Sequence, residues 1–121
     1  MGKRVFLDNA ATTPMAPEII DMMSDMMRSH FANPSSVHSF GRESKIVVEN
    51  ARKIIAKLLN TAPGTIFFTS GGTEADNMAI KCGIHDHKIT HAITSKISHH
   101  AVLYPLQDLE KEGVIELSYV D

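Results

Sequence analysis

The stretch FFTSGGTEADNMAI (67–80) limits the possible folds of this chain more than any other. An apolar, β-prone run meets a pair of glycines, and the residues that follow are typical of the start of a helix. Glycines at such a junction let the backbone approach a ligand, and a helix N-terminus offers N–H groups and a positive dipole to an anion. Thr73 is predicted to be the N-cap, with Asp76 completing a capping box. A tight turn with a cap and no ligand is the alternative that these residues leave open.

Two common phosphate-binding motifs are excluded at this junction. The glycines are not followed by Lys and then Ser or Thr, so the junction is not a P-loop. The G-x-G-x-x-G pattern of dinucleotide-binding folds is also missing. A single phosphate group, as in a phosphorylated cofactor, fits the junction better.

A second junction, SKISHHAVL (95–103), also follows a predicted strand. Ligands of open α/β sheets bind beyond the C-terminal ends of parallel strands, so the loops 70–73 and 96–100 are expected to share one pocket. A histidine in this pocket would stack on an aromatic cofactor or move protons near neutral pH. The alternative is that His99 and His100 are surface residues at the start of a helix.

Hydrophobic periodicity and turn residues divide the chain into helices and strands. The first helix begins near Pro17, and its isoleucines and methionines recur at helical spacing, which we interpret as a packed face. The other predicted elements are a helix at 42–60, a strand at 65–70, a helix at 73–81 ending near Gly83, a strand at 91–95, a helix at 99–112 stopped by Gly113, and a strand at 114–120. This order predicts an α/β architecture with a parallel sheet. Since parallel sheets need both faces covered and the chain ends on a strand, we expect a domain that is interrupted partway.

Composition excludes several classes of partner. The 121 residues carry a net charge of −2, which gives no electrostatic attraction to nucleic acid or to an anionic membrane. The single cysteine, Cys82, fits a reducing compartment, and we expect a cytoplasmic protein. We interpret this cysteine as a packed small residue. No metal site is expected, because the cluster His85-Asp86-His87 lacks further ligands at a suitable spacing.

Five blocks of the sequence together resemble one family. VFLDNAATTP, NPSSVHSFGR, FTSGGTEADNMAIK, ITSKISHHAVL and LEKEG occur in the order and spacing of the cysteine desulfurases, which are pyridoxal-phosphate enzymes of the class V aminotransferase type. The resemblance runs from Val5 to Asp121. It implies the N-terminal portion of the large domain of an aspartate aminotransferase-like transferase, with an arm at 1–14 and the first part of the cofactor-binding domain at 15–121.

The resemblance also implies roles for individual residues. Gly72 and Thr73 match the turn that binds the 5′-phosphate of the cofactor, and His99 matches the histidine that stacks on its ring and assists proton transfer. Asn33 and His38 lie in a loop that the family places near the active site, and the arm residues 10–12 match a segment near the substrate pocket. Ser98 departs from the family, which often has an acidic residue there.

The implied reaction converts L-cysteine to L-alanine and leaves the sulfur as a persulfide on an enzyme cysteine, for iron–sulfur cluster or thio-cofactor assembly. A homodimer that passes sulfur to an acceptor or scaffold protein is expected. The Schiff-base lysine, the carboxylate at the pyridine nitrogen and the nucleophilic cysteine match no residue here, since Lys81, Lys96 and Cys82 fall at other positions. The chain therefore resembles the N-terminal third of such an enzyme, and we expect it to be inactive alone.

Three alternatives stay open at this point. Two lie within the superfamily, namely a selenocysteine lyase and a true aminotransferase. The third is a non-catalytic, truncated binding module. The family also separates the strands 65–70 and 91–95 by strands that come later in its sequence, so these two segments are not expected to pair with each other here.

Overall fold

The computed structural model describes residues 2–120, and helices dominate that part of the chain. The helices are α1 (Pro17–Ser29), α2 (Ser39–Leu58), α3 (Gly72–His87) and α4 (His100–Lys111); the strands are β1 (His91–Ser95) and β2 (Glu116–Val120), and a short 3-10 turn spans Pro63–Thr65. The described residues fall into two compact units, one running through Ile66 and the other beginning at Phe67. This division differs from the arm-and-domain boundary at 14/15 that the resemblance implies, which stays a prediction.

The first unit is built on α2, which begins where the loop after α1 folds against it. Gly41 is buried there, and a Cβ at this position would lie 2.6 Å from the Ser36 carbonyl oxygen. At the other end of the unit, the Arg52 guanidinium donates a hydrogen bond to the carbonyl of Ile66. This bond joins α2 to Ile66, the last residue of the first unit.

The methionine stripe of α1 does not pack as predicted. No residue of α1 is buried, and Met22, Met23 and Met27 are all exposed. The spacing of the apolar residues did predict the helix. Pro17 is its first residue, where the missing N–H removes no helical hydrogen bond. The sequence pattern shows that one face is apolar, but it does not provide the surface against which that face would pack.

The second unit holds a parallel pair of strands. β1 and β2 run parallel, with Ala92 opposite Leu117 and Thr94 opposite Tyr119, and α4 forms the connection between them. The core consists of buried aliphatic side chains from α3, α4 and the strand region: Ile84, Leu106, Leu109, Ile115 and Leu117. The predicted parallel arrangement of 91–95 with the last strand is therefore confirmed.

One predicted strand and one predicted helix end are wrong. The segment predicted as a strand at 65–70 forms no strand, since Pro63–Thr65 is a 3-10 turn and residues 66–69 have no regular structure. The helix predicted to end near Gly83 continues to His87, and it ends where Lys88 adopts the left-handed conformation with φ 52°. Gly113 does follow α4 with φ 72°, as the sequence predicted.

Pro105 does not divide α4, although proline removes one helical N–H donor. The residue is buried, together with Leu106 and Leu109. Packing of this face against the core compensates for the missing bond. In residues 2–120, no helix combines the length and apolarity needed to cross a membrane.

Candidate functional site

The two junctions singled out in the sequence meet in one cleft of the second unit. The cleft has a volume of about 230 Å³ and lies along the N-terminal parts of α3 and α4. Its lining residues are Thr73, Asn77, His99, His100, Ala101, Tyr104, Pro105 and Asp108. Thr73 and His99 thus share one cleft, as expected for the loops 70–73 and 96–100.

The start of α3 differs from the prediction in one respect. Gly71, not Thr73, is the N-cap residue, and no side chain caps the helix from that position. Gly72 is the first residue of the helix and Thr73 the second, and the first main-chain bond that closes it runs from the Ala75 N–H to the Gly71 carbonyl. The N–H groups of a first helical turn have no intrahelical acceptor, so Gly72 and Thr73 stand where a helix binds anions.

The glycine turn is open to an approaching group. A Cβ built on Gly71 or on Gly72 would meet no atom within 4 Å. The turn is held from its two ends instead. Thr69 donates its hydroxyl to the Gly71 carbonyl at 3.2 Å, and the Asn77 amide donates to the Thr73 carbonyl at 2.9 Å. Asn77 was not singled out in the sequence, although its position one turn after Thr73 places it on the same face of α3.

Glu74 makes the strongest hydrogen bonds of the turn. Its Oε2 accepts both from the Ser70 N–H and from the Ser70 hydroxyl, each at 2.7 Å. The Ser70 backbone bond, followed by the hydroxyl bond, holds the pKa of this carboxyl below its ordinary value, against a small opposing effect of desolvation. The capping box predicted from Thr73 and Asp76 is wrong, because the glutamate that bonds across the turn is Glu74 and its partner is Ser70, four residues earlier.

His99 is the N-cap residue of α4. Its Nδ1 accepts a hydrogen bond from the Ala101 N–H at 3.1 Å, so the neutral ring carries its proton on Nε2. His100 has a different environment, because its ring stacks on Tyr104 with centroids 4.7 Å apart and planes within 7°. The two histidines, of which the resemblance singles out His99, therefore have different environments in the structure.

Ser98, the departure from the family pattern, organises the loop before His99. Its hydroxyl lies 3.1 Å from the Thr94 hydroxyl and accepts from the Ser95 N–H at 3.4 Å. These contacts join the loop to the end of β1. Ser98 thus fixes the backbone that leads into the histidine N-cap.

Asn33 and His38 have local partners in the first unit. The Asn33 side-chain oxygen accepts from the Ser35 N–H at 2.9 Å, and the His38 Nδ1 accepts from the Gly41 N–H at 3.3 Å as the N-cap of α2. Both residues shape the loop between α1 and α2. Their proximity to an active site stays a prediction.

Cys82 is exposed, and our interpretation of it as a packed small residue is wrong. It lines a separate apolar cleft of about 320 Å³, together with side chains that include Phe67 and Met78. Thr73 and His99 do not line this cleft. Among the described residues, no group of three or more His, Cys, Asp or Glu side chains is placed to hold a metal ion.

The comparison with known proteins identifies the family. The family model of the class-V aminotransferases matches residues 5–121. The chain belongs to this family. Class-V aminotransferases and cysteine desulfurases depend on pyridoxal 5′-phosphate.

Curated relatives of the chain include cysteine desulfurases. The chain is 48% identical over 123 residues to cysteine desulfurase IscS of Dictyoglomus turgidum, covering 99% of this chain and 31% of the relative. It is 46% identical to cysteine desulfurase IscS of Methanosarcina thermophila, covering 98% of this chain and 30% of the relative. The chain therefore spans about a third of the length of the curated relatives it matches.

Solved structures confirm the fold. A NifS-like protein superposes with a TM-score of 0.86 at 35% identity, over 98% of this chain and 33% of that protein. SspA in complex with cysteine superposes with a TM-score of 0.81 at 35% identity, over 92% of this chain and 32% of that protein. The fold is the α/β fold of the pyridoxal-phosphate-dependent transferases, of which this chain forms a part.

The residues of the cleft fit one end of the family's cofactor. Helix N–H groups and the Thr73 hydroxyl are donors suited to a phosphate, and His99 offers an aromatic face in the same cleft. No lysine is among the cleft-lining residues in the described part of the chain. Among residues 2–120, the cleft thus has donors for the phosphate and an aromatic ring for one face of the cofactor, and no amine lines it.

Proposed function

We propose that this chain forms the part of a cysteine desulfurase that binds the cofactor phosphate. The observation that carries the proposal is the meeting of Thr73 and His99 in one cleft at the start of α3, in a class-V aminotransferase. The phosphate would accept hydrogen bonds from the N–H groups of Gly72 and Thr73 and from the Thr73 hydroxyl. The dipole of α3, which has 16 residues, adds favourable charge at the same point.

We propose that His99 holds one face of the cofactor ring and carries the mobile proton of the site. Its Nδ1 accepts from the Ala101 N–H, so the Nε2–H of the neutral ring is left to donate a hydrogen bond in the cleft, and the ring takes up a further proton on Nδ1 only by releasing the Ala101 contact. Bound pyridoxal phosphate supplies the electron sink that the cleavage of bonds in the amino-acid substrate requires. The fixed tautomer means that His99 enters the reaction with a defined proton position.

The substrate that we propose is L-cysteine, which the complete protein would convert to L-alanine and an enzyme-bound persulfide. The names of the relatives and the cysteine complex of SspA support this choice. The persulfide needs a thiol nucleophile, and Cys82 lies in a different cleft from His99. We therefore propose that Cys82 is not the sulfur acceptor within the enzyme.

We also propose a homodimer in the cytoplasm that passes sulfur to an acceptor or scaffold protein for iron–sulfur cluster assembly. The support is the similarity to proteins named cysteine desulfurase IscS and the single cysteine of the chain. The oligomeric state and the acceptor are proposed from that similarity and the location from the cysteine count, and none of them from a contact within residues 2–120.

Cofactor binding tests the proposal directly. Pyridoxal 5′-phosphate and, separately, inorganic phosphate are titrated into the isotope-labelled chain, and amide and imidazole resonances are followed by NMR. We expect both ligands to shift the amides of Gly72 and Thr73, and only the cofactor to shift the ring of His99. Shifts confined to residues outside this cleft would contradict the proposal.

The reaction is tested on the protein at the length made in its native source. We expect L-alanine to form from L-cysteine in amounts equal to the sulfur transferred, and the variant Cys82→Ser to retain this activity. Alanine formed from selenocysteine but not from cysteine, or amino-group transfer to a keto acid, would assign the protein to one of the other two activities.

A further inference from the structure

The contact between Glu74 and Ser70 is not explained by helix capping alone. A single oxygen, Oε2 of Glu74, receives both the backbone and the side-chain donor of Ser70 at 2.7 Å. The two residues flank Gly71, Gly72 and Thr73, so the carboxylate closes a ring of contacts around the turn. Hydrogen bonds to an ionised acceptor are short and strong, as these are.

Few other contacts restrain the turn. The positions that side chains would occupy on Gly71 and Gly72 have no neighbour within 4 Å, and both glycines are exposed. Glycine loses more conformational freedom on folding than any other residue, so two in succession make an unrestrained turn costly to hold in one conformation. The Glu74 contact restrains both ends of this turn at once.

The position of the negative charge also matters. A carboxylate in the first turn of a helix is attracted to the same free N–H groups that bind an anionic ligand. Glu74 is the third residue of α3, within reach of those groups. The Oε2 of Glu74 is engaged by the two donors of Ser70. The N–H groups of Gly72 and Thr73 are therefore left for another acceptor.

We propose that Glu74 is a positioning residue that, through Ser70, holds the 70–73 turn in the conformation that accepts the cofactor phosphate. The inference rests on the proposed function and names a residue that does not itself touch the phosphate. Removal of the Glu74 oxygen acceptor loosens the turn, whereas removal of its charge alone leaves the turn largely intact.

The test compares the affinity of the full chain for pyridoxal 5′-phosphate with its affinity for pyridoxal, which has no phosphate. We expect Glu74→Ala to weaken binding of the phosphorylated ligand about tenfold, because an unrestrained turn must be ordered on binding. Binding of pyridoxal is expected to stay unchanged. Glu74→Gln keeps an oxygen acceptor for Ser70, so it should restore most of the affinity. Glu110→Ala, which removes an exposed carboxylate of α4, is the matched control.

The outcomes separate this inference from the proposed function. A wild-type chain that binds the phosphorylated ligand no better than pyridoxal overturns the proposed function and the inference with it. If the wild type prefers the phosphorylated ligand and Glu74→Ala keeps the same preference, only the inference is overturned. Tighter binding by both Glu74 variants would show that Glu74 acts by charge repulsion, which also overturns the inference.

Hydrogen exchange of the Ser70 amide provides a second readout that needs no variant. We expect this amide to exchange slowly in the wild type and to remain slow when inorganic phosphate is added, because its acceptor is Glu74 and not the ligand. Faster exchange of Ser70 on addition of phosphate would overturn the inference, even if Glu74→Ala failed to fold.

Discussion

At the scale of single residues, hydrogen bonds decide what the candidate site residues can do. Glu74 binds both donors of Ser70, and His99 is fixed in one tautomer by the Ala101 N–H. The sequence placed a histidine and a phosphate turn near each other. It did not show which atoms of each residue are already engaged.

The Glu74–Ser70 contact predicts a dependence of stability on pH. The pKa of Glu74 is lowered in the folded chain by the Ser70 backbone bond and then by the hydroxyl bond. A lowered folded pKa means that the stabilisation is complete above the ordinary pKa near 4.5 and is lost as the pH falls through the folded pKa. A pH titration of the Glu74 carboxyl carbon followed by carbon-13 NMR should have its midpoint below the ordinary glutamate pKa.

The matched variant for this titration is Ser70→Ala. It removes the hydroxyl donor and keeps the backbone donor, so the Glu74 midpoint should move part of the way back towards the ordinary value. A wild-type midpoint at or above the ordinary value would contradict the two hydrogen bonds.

His99 is predicted to stabilise α4 independently of any ligand. His99→Ala removes the N-cap acceptor, and we expect it to lower the free energy of unfolding by about 1 kcal/mol. His99→Asn keeps a side-chain acceptor at the N-cap, so its stability should stay within a few tenths of a kcal/mol of wild type, on the order expected for a good cap residue. Urea unfolding followed by circular dichroism measures both variants.

The same pair of variants separates capping from cofactor binding. Both lose the aromatic ring, so both should weaken binding of pyridoxal 5′-phosphate. An Asn variant as destabilised as the Ala variant would show that the Nδ1 contact contributes little to α4.

At the scale of secondary structure, packing overrode two local signals. Gly83 was expected to end α3, but Ile84 is buried in the core and Ile80 packs against it, so the helix continues through the glycine. A glycine inside a helix costs about 1 kcal/mol relative to alanine, which is less than burial of an aliphatic side chain contributes. The segment 66–69 has the composition of a strand but no strand partner within the described residues. A β-strand depends on its neighbours more than a helix does.

The two glycines that the sequence marks as helix stops, Gly83 and Gly113, are predicted to respond in opposite ways to alanine. Gly113 has φ 72°, so Gly113→Ala should destabilise the chain by about 1 kcal/mol. Gly83 lies in the interior of α3 and its added Cβ would meet no atom within 4 Å, so Gly83→Ala should stabilise by about 0.5–1 kcal/mol. Thermal unfolding of the two variants checks this. A shift of the same sign in both would contradict the assigned conformations.

At the scale of the whole molecule, much apolar surface is left exposed. Ile97 is 93% exposed, Leu7 89% and Leu58 80%, and the methionine face of α1 is also open. Exposed apolar surface of this kind marks an interaction surface or a tendency to associate. The chain covers about a third of the length of its relatives, which have further residues that could cover such surface.

We predict that the isolated chain associates with itself. Sedimentation velocity should give a mass that rises above 13.3 kDa as the concentration increases, and a dye that binds apolar surface should fluoresce. Ile97→Lys replaces one of the most exposed apolar side chains with a charge and should reduce both signals. A single species of 13.3 kDa at all concentrations, with no dye binding, would contradict the prediction.

The sequence by itself determined the family, the two junctions and most of the regular elements. Helices with one apolar face, the strand at 91–95 and the Gly113 stop are encoded within short windows, because side-chain periodicity and backbone dihedral preferences are local properties. The meeting of Thr73 and His99 in one cleft was predicted from the rule that loops after parallel strands share one edge of a sheet. Because 66–69 forms no strand, the packing of α3 against α4 brings the two residues together instead.

Tertiary structure alone decided the features that depend on neighbours distant in sequence. Packing of Ile84 in the core extends α3 beyond Gly83, and 66–69 has no strand partner among the described residues. The methionines of α1 and Cys82 are exposed. The N-cap at Gly71 and the contact of Glu74 with Ser70 are local features of the turn, and only the structure showed which side chains make them. Burial and strand pairing require a second surface, and a sequence pattern shows that a face is apolar without showing what covers it.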